Sequence, residues 1–141
     1  MDQILAEGRA YWESKLAGRT MPSRRDFDPV LEAPKLLPWM ILTDVLYEPL
    51  DLRYRLIGTR VVERSRRDYT GRCFSELPHA GPESRVWKDR VAVVRSRAPA
   101  AAEPPYTGGH AEIRRVSGLH LPLSDDDRAV NMILTVTAFW P

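Results

Sequence analysis

The single thiol in this sequence is Cys73, set in Gly71-Arg72-Cys73-Phe74. A cysteine that attacks a flavin needs a reactive thiol beside the ring and amide side chains to read the isoalloxazine edge. Asn131 is the only asparagine and Gln3 the only glutamine, so that amide set is missing. A small, buried or half-buried cysteine accounts for the residue more simply. A haem site needs an axial ligand aimed into a pocket. His79 lies just before the best helical stretch, residues 83–97, and that stretch contains no histidine. His110 stands beside a turn. His120 is flanked by Leu119 and Leu121, so alternation puts it on the opposite face from them. No two histidines have helical metal-ligand spacing, and no metal site is expected. A P-loop pattern is absent, Gly108-Gly109 reads as a turn, and Ser117 lacks a nucleophile elbow. The residues predict a protein that is not an enzyme and argue against haem and flavin as cofactors.

Binding is the better use of these residue types. Leu52, Tyr54 and Leu56 alternate with Arg53 and Arg55, so one face of that strand can line a core while the other meets water. Met132, Leu134 and Val136 share one face of the last strand, and Trp87 and Val91 on the 83–97 helix can close over them. Together with Tyr54 and Leu56 they form the expected pocket for a small apolar ligand, with the Tyr54 hydroxyl as its polar handle. A core filled by the same side chains is the alternative. Arg64, Arg66 and Arg67 cluster beside Glu63 and Asp68, a solvated basic surface or an anion site.

The elements that must position these groups follow from periodicity and turn chemistry. An amphipathic helix is predicted over residues 2–17, ended by Gly18. Asp28-Pro29 starts a short helix through residue 33, and Pro34 interrupts it. Strands follow over 40–47 and 52–57, with a charged helix over 59–67. The 83–97 helix precedes three more strands. The first, 98–106, is weak because Pro99, Pro104 and Pro105 cannot donate to a ladder. Thr107-Gly108-Gly109 reads as a hairpin turn, Ser117-Gly118 as a bulge, and 129–139 as the last strand. The second face of that strand carries Ile133, Thr135, Thr137 and Phe139. It needs a cover, either the N-terminal helix or a second copy. Helices inserted between strands of an antiparallel sheet indicate an α+β domain.

At 141 residues the chain suits one compact unit, here divided as an N-terminal helix and connector (1–39) and a sheet-bearing domain (40–141). The single cysteine rules out an internal disulfide. A net charge of +2 with acidic groups interspersed argues for a mixed surface rather than a nucleic-acid face. No targeting or membrane-spanning segment is evident, and a cytoplasmic location is expected.

Particular segments, in this order, resemble the PAS superfamily, and most of all the stand-alone bacterial PAS_5 group. They are Tyr11-Trp12, the connector Met21-Pro22-Ser23-Arg24-Arg25-Asp26-Phe27-Asp28-Pro29, and Leu36-Leu37-Pro38. Then come Arg53-Tyr54-Arg55-Leu56-Ile57-Gly58-Thr59, Asp68-Tyr69-Thr70-Gly71-Arg72 and Leu121-Pro122-Leu123-Ser124-Asp125. The resemblance implies a five-stranded antiparallel sheet crossed on one face by helices. It also implies a sensory role in bacterial signal transduction, through a ligand or a protein contact. With no effector domain expected alongside, the output has to be binding. The expected partners are a small ligand, a signalling protein and a second copy in a homodimer. Trp12, Leu16, Ile133 and Phe139 are the expected contact surface. The alternatives are a protein whose ligand pocket is its whole function and a small enzyme built on the same sheet.

Overall fold

The structure, a computed structural model, describes residues 2–141. Its strands are β1 (Met40–Leu46), β2 (Asp51–Ile57), β3 (Ala100–Ala102), β4 (Arg115–Leu123) and β5 (Met132–Trp140). They form one antiparallel open sheet in the order β2-β1-β5-β4-β3. Four α-helices accompany them: α1 (Asp2–Glu13), α2 (Pro29–Glu32), α3 (Thr59–Arg64) and α4 (Arg85–Ser96). The chain has the α+β architecture that its element order predicts.

Local chemistry explains the helix starts. Asp28 caps α2, accepting from the Leu31 amide, with Pro29 in the first helical position. Ser84 caps α4, its hydroxyl accepting from the Trp87 amide at 3.1 Å. The central strands β1 and β5 are apolar on both faces because both faces are covered. On one face Ile41, Val45, Leu52, Tyr54 and Ile133 pack with Val61 of α3, Val91 of α4, and Phe74 and Leu77 between them. On the other, Met40, Leu42, Leu119, Leu121, Met132, Leu134 and Val136 pack with Trp12 of α1 and Phe27. Each such large side chain, fully buried, contributes about 1.5–3 kcal/mol.

The faces differ from strict alternation at one place. β1 and β2 pair Leu42 with Leu56 and Thr43 with Tyr54, leaving Arg55 unmatched. This bulge changes the phase of β2. Tyr54 stays under the helices, Leu56 turns into the core beneath α1, and Ile57 takes the helix side.

The cover over β5 is also reversed from expectation. α1 packs on Met132, Leu134 and Val136, whereas the Ile133 face lies under the helices. Trp12 and Ile133 are therefore buried on opposite faces, and with Leu16 and Phe139 they form no single exposed patch.

Several boundaries move as well. α1 stops at Glu13 because the Lys15 and Leu16 amides turn back to Trp12 and Glu13, and Ala17 and Gly18 take positive φ. α3 stops at Arg64, where Ser65 is extended. Thr107-Gly108-Gly109 does not turn a hairpin: β3 ends at Ala102 and β4 begins at Arg115, with a long loop between. Ser117 and Gly118 pair in unbroken register with Ala138 and Thr137, so no bulge occurs there.

Candidate functional site

By turning Ile57 to the helix side, the β2 bulge sets it beside Tyr54 against a cavity of about 130 Å³ between the sheet and the helical layer. Ile41, Tyr54 and Ile57 line one side, and His120, Thr135 and Thr137 the floor. Val86 and Arg90 of α4 lie across from them, and residues 104–108 of the long loop close the rim.

That loop is held by the open end of α3, whose last carbonyls have no donors within the helix. The Tyr106 hydroxyl donates to the Arg64 carbonyl at 2.6 Å, and His110 Nε2 to the Glu63 carbonyl at 2.7 Å. Arg66 Nε returns a bond to the Thr107 carbonyl at 2.8 Å. Gly108 fits so closely that a Cβ there would lie 2.2 Å from the Arg64 carbonyl oxygen. The glycine pair read as a turn is thus a packing site for a strap.

The floor is polar. His120 is buried, with Nδ1 hydrogen-bonded to Thr135 Oγ1 at 2.7 Å. Burial pushes its imidazole well below the usual histidine range, and the positive charge of Arg90 adds to the effect. Thr137 donates to the Trp39 carbonyl at 2.8 Å. At the side, Tyr54 stacks on Phe74 with ring centroids 4.2 Å apart and on Tyr69 at 6.3 Å. Burial raises its phenol pKa, and Arg90 opposes the rise. His79 lies 4.7 Å from Tyr69, ring to ring, and burial lowers its pKa.

Arg90 is the outlier. It is only 4% exposed, yet no carboxylate touches it: Asp89, which acts on its charge at longer range, lies 3.5 Å from Arg85 instead. Nη1 donates to the Val86 carbonyl of its own helix at 3.3 Å, Nε is buried with no partner, and the guanidinium stands 5.2 Å from the Phe74 ring centre. A guanidinium remains charged even when buried. The lining set as a whole contains Arg64, Arg66, Arg90, His79 and His120, and no aspartate or glutamate.

Of the residues expected to form the pocket, Tyr54 lines the cavity. Leu56, Met132, Leu134 and Val136 lie on the other face, in the core beneath α1. Trp87 and Val91 pack in the helix-side core, and their neighbours Val86 and Arg90 face the cavity. Sequence reasoning missed Arg90 because a charged residue was not counted in the buried stripe. The signal was present: Arg90 falls four residues after Val86 and four before Val94, on the helix's apolar side.

The remaining candidates stand apart from the cavity or are engaged. Cys73 bridges to Arg53 at the sheet edge, and its thiol pKa is raised by burial, Asp51 and Glu76. Arg64 stacks over Trp39 and Phe139 and donates to the Arg60 carbonyl. Among the described residues, no group of three or more His, Cys, Asp or Glu is placed to hold a metal ion, and no helix is long and apolar enough to cross a membrane.

An antiparallel sheet with helices and a small cavity on one face is an α+β frame with room for a binding site. The chain belongs to the PAS_5 family: the family's model, described as a PAS domain, matches residues 3–137, nearly the whole chain. No curated protein and no solved structure matches it. The PAS fold is of the sensory and signalling type, and such domains are generally non-catalytic.

Proposed function

We propose that this PAS domain senses a small molecule held in the cavity between β2, β4, β5 and α4, and that occupancy changes its contact with a second copy or a signalling protein in the bacterial cytoplasm. The observation that carries the reading is the strapped cavity itself. Its lining combines aromatic and aliphatic walls with a few converging polar groups, the usual make-up of a small-molecule site. The strap is suited to report occupancy. It is tied to α3 by two hydrogen bonds, to Arg66 just beyond that helix by a third, and to the sheet by the edge-on contact of Tyr106 with Phe139, at 6.1 Å. A ligand that prefers one strap position over another shifts the population of surfaces shown to a partner.

The test is native mass spectrometry of freshly purified protein, followed by sedimentation with and without the bound species. A retained small molecule whose removal alters self-association or partner capture is the expected result. Protein that carries nothing and associates identically under all conditions would overturn the reading.

A further inference from the structure

We infer that the cavity takes a small monocarboxylate with an apolar, single-ring-sized body, its carboxylate on Arg90 and its body against Tyr54, Tyr69 and Ile57. The inference rests on the sensory reading and names the ligand class. Three independent observations lead to it.

First, Arg90 is a buried cation with no carboxylate in ion-pair or hydrogen-bond contact, its charge offset only at longer range by that of Asp89. Burying a charge is costly unless it is paired and hydrogen-bonded. Here a guanidinium with five N–H donors makes one hydrogen bond, to its own helix, while Nε is orphaned. Its planar fork matches a carboxylate through two parallel bonds. Second, the lining has three arginines and no carboxylate, so nothing in the lining competes for Arg90; at the rim Arg64 is paired with Glu63, and the charge of Arg66 favours entry of an anion. Third, the other groups at the inner end, His120 and Tyr54, are neutral hydrogen-bonding groups rather than further cations. One buried positive charge matches one negative charge. The size of the cavity, about 130 Å³, is of the order that holds one ring.

Sodium benzoate, benzamide and inorganic phosphate are the probes, read by titration calorimetry and by the thermal midpoint of the purified protein. Benzoate is expected to bind and raise the midpoint, and its neutral isostere benzamide to bind about tenfold or more weakly. Phosphate, with more charge and no apolar body, should also bind more weakly than benzoate. Arg90→Met should remove the benzoate response while the empty variant melts no lower than the parent, because an unpaired buried charge has gone. Arg90→Lys keeps the charge without the fork and should bind benzoate at an intermediate level. Equal binding of benzamide and benzoate overturns the anion assignment and leaves the pocket standing. Phosphate equal to benzoate overturns the carboxylate class. Undiminished benzoate binding by Arg90→Met, or no response to any probe, also overturns the inference. Benzoate bound through Arg90 with no change in association would instead sink the sensory reading alone.

Discussion

The Trp12 indole donates to the Pro122 carbonyl at 2.9 Å, fastening the first helix to β4 across 110 positions of sequence. Trp12 is buried beneath α1 with Leu121, Leu123 and Val136 as core neighbours. Trp12→Phe keeps most of the apolar area but strands the Pro122 carbonyl, at a cost of about 1–3 kcal/mol. Trp12→Ala adds the cavity and should cost about 3–5 kcal/mol. Urea unfolding checks both. A smaller loss for alanine than for phenylalanine would show that α1 is not anchored there.

Arg55 is the unmatched residue of the β2 bulge. Deleting it restores plain alternation while Leu52, Tyr54, Leu56 and Ile57 keep their present faces. The deletion should fold and lose no more than about 2 kcal/mol. Deleting Arg53 instead turns Tyr54 out of the helix-side core and should cost considerably more. Equal thermal midpoints for the two deletions would refute the phase change.

His120 makes stability depend on pH. Its folded pKa lies below the ordinary value, so the unfolded chain binds more protons once pH drops below about 6.5. The stabilisation is complete above that value and is lost as pH falls toward the folded pKa. A single proton gives at most about 1.4 kcal/mol per pH unit, and His79, displaced the same way, adds to the slope. His120→Gln should flatten the decline in the urea midpoint between about pH 7.5 and 5.5. An unchanged slope would place the titration on another group.

Gly58 and Gly8 mark two close approaches. A Cβ on Gly58 would lie 2.3 Å from the Pro38 carbonyl oxygen and 2.5 Å from that of Leu37, backbone atoms that cannot step aside cheaply. On Gly8 it would meet Val136 Cγ2 at 2.5 Å. Gly58→Ala should cost about 2–3 kcal/mol. Gly8→Ala gains about 1 kcal/mol of helix propensity, which offsets part of its clash. A Gly8→Ala/Val136→Ala cycle should then show favourable coupling in denaturant midpoints. Additive losses would mean that α1 shifts to make room.

Local signals in the sequence were enough for much of the fold. Asp28-Pro29 and Ser84 start helices because capping and a preset φ act over a few residues. The apolar runs of β1 and β5 require cover on both faces, and the resemblance carried by short segments along the chain supplied the topology. The faces of β2 were not legible, because a bulge depends on pairing with β1, and the pairs that flank it are Thr43 with Tyr54 and Leu42 with Leu56, partners set by folding rather than by local sequence. Nor was the strap: Gly108 has its place only against the end of α3. Composition and periodicity could find candidate walls such as Tyr54. Only tertiary packing could bury Arg90 beside a cavity without a carboxylate, since burial and charge pairing are properties of neighbours brought together by folding.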